Sequence, residues 1–146
     1  MAEKVKEVQE AQGADFGVFD AFLKAQEDGI SVDIVAPNNK PIGLQIVVCG
    51  PDSDRMQKAM IEVASEFAAE AAKRDDLGDE PPDAADKRMI AILAKASISW
   101  GPKDPIVDGV PLAFNEANVK LLLTKYRFVR DQLEFKAKRR TSFMQG

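Results

Sequence analysis

The sequence has no histidine and a single cysteine, Cys49, in 146 residues. The first absence excludes Ser-His-Asp and Cys-His catalytic arrangements, imidazole-containing zinc sites, and the side chain most often used as a general base near neutral pH. The second excludes an internal disulfide and a thiolate metal cage, and fits a reducing compartment. Neither the phosphate-cradling GxxxxGK[ST] loop nor the dinucleotide-binding GxGxxG turn is present. Apolar runs are only a few residues long, too short to span a membrane. The opening MAEKVKEVQEAQ is charged throughout, without the apolar stretch of a secretory signal. Carboxylates are plentiful, yet no pair stands out for acid–base work. The expectation is a protein that is not an enzyme and carries no cofactor or metal.

What is present is a globular composition, 45% hydrophobic and 30% charged, in a length that suits one domain over residues 1–146. The net charge of −4 is uneven. Residues 120–146 hold eight basic side chains against Asp131 and Glu134, a net +6, so residues 1–119 carry −10. A basic end on an acidic body suits either a contact surface or ordinary helix C-termini and solvated faces. It is a poor nucleic-acid footprint, because the body is acidic and aromatic interleaving is slight.

The periodicities define an α+β chain, mostly α: a small helical domain with one antiparallel β-hairpin and a turn-rich crossing before the C-terminal helix. Asp15 is placed to cap a short helix carrying Phe16, Phe19, Phe22 and Leu23, with Gly29 beyond its end. Core packing is the preferred use of these phenylalanines over a docking segment. The runs Ser31–Val35 and Ile42–Cys49 read as hairpin strands around a Pro/Asn turn, with Leu44, Ile46 and Val48 on one face. Cys49 reads as a small packed hydrophobe rather than a reactive thiol. After Gly50-Pro51, Asp54 and Gln57 stand at capping-box spacing ahead of the stripe Met56, Met60, Val63, Phe67 and Ala71. The methionines read as core filler in preference to a promiscuous binding surface, and Lys73 and Arg74 suit the helix C-terminus.

Residues 75–83 (DDLGDEPPD) form an acidic linker that lacks the alternating ligands of a calcium loop. A second helix carries Met89, Ile90, Ile92, Leu93 and Ala96. Ser97–Trp100 alternates like a short strand, and Asp108-Gly109 is turn chemistry. Asn115 then caps a region with a Leu122, Tyr126, Val129, Leu133 stripe. Residues 1–14 and 139–146 are expected to be flexible tails.

Trp100, Asp108-Gly109, Leu112, Phe114, Asn115, Asn118, Leu121-Leu122, Arg130, Gln132 and Phe143 form a string that resembles the C-terminal half of tail assembly chaperones of long-tailed bacteriophages and prophages. The hairpin connection (Pro37, Pro41, Gly43) and Gly50-Pro51-Asp52-Ser53 opening a helix resemble its N-terminal half, so the similarity covers residues 30–143. Related sequences often have proline where Arg127 stands, which breaks the last helix; without it, Asn115–Lys138 is free to run on as one helix. The resemblance implies a non-enzymatic, holdase-like protein of the host cytoplasm. Such a protein binds the tape-measure protein, helps recruit tail-tube subunits, and is missing from the finished virion. A longer frameshifted form is common in the family.

The candidate partner-binding residues are Trp100, Phe114, Tyr126, Arg130, Phe135, Lys138, Arg139, Arg140 and Phe143. Trp100 and Phe114 suit either core anchoring or contact. Phe135 and Phe143 are the stronger contact candidates, because the segment around them looks too polar to fold back fully. No nucleic acid or membrane is expected as a partner, and self-association is open. The competing reading is a permanent component of a phage tail or head–tail connector.

Overall fold

The computed structural model describes residues 13–73 and 81–144 of the chain. The expectations for residues 1–12, for Arg74 and most of the acidic linker, and for the last two residues lie outside the described residues. The fold is α+β and mostly α, with five α-helices, a three-stranded antiparallel sheet and a small hairpin.

A 3-10 turn, Phe16–Phe19, leads into α1 (Asp20–Asp28). Strands β1 (Ile30–Val35) and β2 (Pro41–Val48) follow, then α2 (Asp54–Lys73) and α3 (Ala84–Ala96). β3 (Ser97–Pro102) completes the sheet in the order β1-β2-β3, pairing antiparallel with β2. β4 (Ile106–Val107) and β5 (Val110–Pro111) form the small hairpin within the turn-rich crossing. α4 (Glu116–Lys125) and α5 (Arg127–Lys138) precede a second 3-10 turn, Arg140–Phe143.

The alternation read in the hairpin sorts the two sheet faces. Val32 opposes Ile46, Ile34 opposes Leu44, and Ile46 opposes Trp100; all of these are buried. Ser31, Asp33, Gln45 and Ser99 face solvent. An antiparallel sheet with one wet face has this pattern. The buried face joins Leu93, Val119, Leu122, Val129, Leu133 and Ala137 in one core. α5 lies against β1, α2 packs on α3, and α3 packs on α4. The β1–β2 turn uses Asn39 at φ 68°, and Asp108-Gly109 takes φ 51° and 78°, the left-handed pair that a two-residue hairpin loop demands. Asn115 caps α4, its side chain accepting from the Asn118 N–H at 2.8 Å.

Three local expectations are corrected. The cap of α2 is Ser53, not Asp54: the Ser53 Oγ accepts from the Met56 N–H at 3.1 Å and donates to the Gly50 carbonyl at 2.7 Å. Gln57 instead donates to the Pro51 carbonyl, and the Asp54 N–H is taken by Glu27 of α1 at 2.7 Å. Along α2 the buried stripe is Met56, Ala59 and Val63, while Met60 is 47% exposed and Ala71 lies in solvent. Finally, Asn115–Lys138 does not continue as one helix. It breaks at Tyr126, whose backbone (φ −117°, ψ 88°) leaves the helical region.

The C-terminal end also differs from expectation. Residues 139–144 turn back on the body, and Phe143 is only 2% exposed. One aromatic ring placed over the core outweighs the polarity of its neighbours, whose charged heads stay in water while their stems cover apolar surface. Among the described residues no helix is long and apolar enough to cross a membrane.

Candidate functional site

Of the candidate contact residues, Trp100, Phe114, Arg130 and Phe143 pack into the body of the fold. Trp100 is buried on the inner face of β3, edge-on to Phe114 at 5.3 Å, and its indole N–H donates to Asp104 at 3.3 Å. Of the two uses left open for the pair, core anchoring is the observed one, with Phe114 half-buried beside it. Arg130, 8% exposed, ties α5 to α3 through Asp86 at 2.8 Å and also meets Asp131 at 3.2 Å. The hydrogen bond from Arg130 holds the Asp86 carboxyl below the usual carboxylate range. Phe143 is buried as described. Tyr126 is half-buried at the helix break, edge-on to Phe128 at 6.2 Å.

The others gather on the C-terminal part of α5 and the turn after it. Phe135 is 56% exposed, with the Arg139 guanidinium over its ring at 4.7 Å. Lys138 is exposed and meets Glu134 at 3.5 Å. Arg140 grips Asp52 with two hydrogen bonds of 2.8 Å. That contact, with a further hydrogen bond from Gln26, lowers the Asp52 carboxyl to about 2.

Lys138 and Arg140 border a groove of about 320 Å³ between α2, α3 and α5. Met56, Met60, Met89 and Ile92 line it. Met60 therefore serves as groove wall rather than core filler. The i, i+4 methionine pair was the visible signal for this site, and Met89 joins it only through the packing of α3 on α2.

Of the N-terminal phenylalanines, Phe16 and Phe19 are exposed and Phe22 is half-buried. Phe16 is 73% exposed, Val18 70%, Phe19 42% and Leu23 49%. The one buried side chain of α1 is Gln26. Its Oε1 accepts from the Asp52 N–H at 2.6 Å, its Nε2 donates to Asp52 Oδ2 at 3.1 Å, and its backbone carbonyl accepts from the Gly50 N–H at 2.9 Å. Polar docking at the C-terminal end of α1 thus sets its orientation and turns the aromatic half outward.

Elsewhere among the described residues the surface carries a charge cluster. Lys95 sits among Glu62, Glu66 and Glu116 at 3.2–3.4 Å, and hydrogen bonding to Glu116 first, then to Glu62, pushes its ammonium above the usual lysine range. Cys49 is fully buried, and desolvation raises its thiol, the opposite of an activated nucleophile. Among the described residues no three His, Cys, Asp or Glu side chains are grouped to hold a metal ion.

The chain matches no protein-family model, no curated protein and no solved structure.

Proposed function

We propose that the chain is a tail assembly chaperone of a long-tailed bacteriophage or prophage. In this reading it acts in the host cytoplasm as a non-enzymatic holdase for the tape-measure protein and helps bring tail-tube subunits to it. The string of residues across 30–143 supports the reading, and the methionine groove carries it on physical grounds. Unbranched, polarizable thioether side chains adapt to apolar partners of varied shape, so a methionine floor suits a client made of many unlike apolar helical segments. Lys138 at the rim leaves the contact sensitive to salt and readily released.

The test is co-expression with the tape-measure protein of the same genome. The chain should raise its soluble yield and co-purify with it, Met60→Lys should weaken the capture, and purified particles should lack the chain by mass spectrometry. No gain in solubility and no co-purification would sink the reading. Stoichiometric copies in purified particles would replace it with a permanent tail or connector component.

A further inference from the structure

A second surface, remote in sequence from the basic end, has the opposite charge. The segment 15–28 contains Asp15, Asp20, Glu27 and Asp28 against Lys24 alone, a net −3. Lys24 is already paired with Asp28 at 2.9 Å. Phe16, Phe19 and Leu23 stand at i, i+3 and i+7, the spacing of anchors along one helical stripe.

The stripe is ordered although it is exposed. Asp15 accepts from the Gly17 N–H at 2.9 Å and so caps the 3-10 turn. The Phe16 and Phe19 rings touch at a centroid distance of 5.8 Å. At its far end α1 is pinned by Gln26, by Glu27 on the Asp54 N–H, and by the close approach of Gly29 to the sheet, where a Cβ would meet Ile98 at 2.8 Å. These contacts fix the far end of the short helix while Phe16, Phe19 and Leu23 stay exposed. Leaving such side chains in water forgoes the gain that burying their apolar surface would bring.

We infer that residues 16–23 form a docking surface for an amphipathic helix of another protein, one whose apolar face is bordered by Lys or Arg. Charge complementarity selects this occupant. Two copies of the segment placed face to face would bring their carboxylates together, which disfavours a symmetric pairing, whereas a cationic border meets Asp15 and Asp20 on either side of the aromatic pair. The surface does not depend on the methionine groove or on the phage assignment, so the two stand or fall separately.

The experiment uses the full chain and two fluorescently labelled amphipathic peptides with the same leucine face, one flanked by lysines and one by glutamates, at physiological salt. The lysine peptide should bind at least about tenfold more tightly than the glutamate peptide. Phe16→Ser with Phe19→Ser should cut that binding by about tenfold or more while leaving the thermal transition in place, because both rings are exposed. Asp15→Asn with Asp20→Lys should shrink or reverse the preference. Equal affinity for the two peptides, or binding indifferent to the phenylalanine substitutions, would overturn the inference. So would concentration-dependent dimerisation abolished by those same substitutions, which would assign the surface to a second copy.

Discussion

The side-chain amide of Gln132 behaves as a strand neighbour of Val35: its Oε1 accepts from the Val35 N–H at 2.9 Å, and its Nε2 donates to the Val35 carbonyl at 2.8 Å. The pairing of β1 with β2 shifts register between Ile34 and Val35. One glutamine on α5 thus satisfies both backbone groups of Val35, and binds the helix to the sheet in doing so. Gln132→Leu removes both partners at once. It should lower stability by about 1–3 kcal/mol, read as a fall in the urea midpoint at unchanged m-value. Gln132→Glu should recover only part of this, since a carboxylate still accepts from the N–H but faces the Val35 carbonyl.

Asp52 joins both ends of the chain, receiving Gln26 from α1 and Arg140 from the C-terminal turn. Its folded carboxyl lies at about 2 against an ordinary 3.8. A lowered carboxyl contributes stability that is complete above the unfolded value and is lost as pH falls through the folded one. The wild-type chain should therefore lose this contribution between pH 4 and 2, and Asp52→Asn should flatten that part of the acid unfolding curve. Arg140→Ala should flatten most of it as well, because Arg140 is the larger cause of the shift. Gly50→Ala tests the same junction sterically: the new Cβ would collide with Gln26 Cγ and come within 2.7 Å of its Cβ. That variant should be destabilised and should show heightened proteolysis within residues 13–29.

Much of this architecture can be read locally. The hairpin faces, the Asp108-Gly109 turn and the Asn115 cap each depend on a few adjacent residues whose geometry allows few alternatives. The misread positions depend on distant partners. Phe16 and Phe19 have helical spacing whether their face is covered or not, and the decision rests with Gln26, whose partner Asp52 is twenty-six positions away. Phe143 sits among cations, and its burial follows from how the turn after α5 docks. Ser53 rather than Asp54 is the cap because its hydroxyl is held by the Gly50 carbonyl of the preceding turn, where it accepts from the Met56 N–H. At the candidate site the same rule applies: Lys138 and Arg140 were identifiable as basic residues near an end, but the methionine floor beneath them requires α2 and α3 side by side.

Lys95 is the hub of an ion cluster joining α2, α3 and α4, with its side chain 15% exposed among Glu62, Glu66 and Glu116. Lys95→Met keeps the stem and removes the charge. The cost should fall between the about 1 kcal/mol of an exposed pair and the about 3 kcal/mol of a buried one. Salt supplies the sharper reading. With the ammonium gone its attraction to three carboxylates is lost and they repel one another, and both effects are screened by salt. The deficit of the variant relative to wild type should then shrink as salt is raised towards about 1 M. A deficit constant across that range would show that the lost lysine acts by packing alone.

The break at Tyr126 makes Arg127 the first residue of α5 rather than the interior of a longer helix. Proline is accommodated at a first helical position, where its missing N–H costs no interior hydrogen bond and its fixed φ suits the helix. Proline also requires an extended residue before it, and Tyr126, at φ −117° and ψ 88°, is already outside the helical region. Arg127→Pro should therefore change stability by no more than about 1 kcal/mol, with a gain expected from the stiffer unfolded chain. In a continuous helix the same substitution would cost about 3 kcal/mol or more. Val129→Pro, two residues further on, removes the N–H that donates to the Tyr126 carbonyl at 3.0 Å and should be clearly destabilising in the same thermal and urea measurements. If Arg127→Pro proves as damaging as Val129→Pro, the two-helix description of residues 116–138 is wrong.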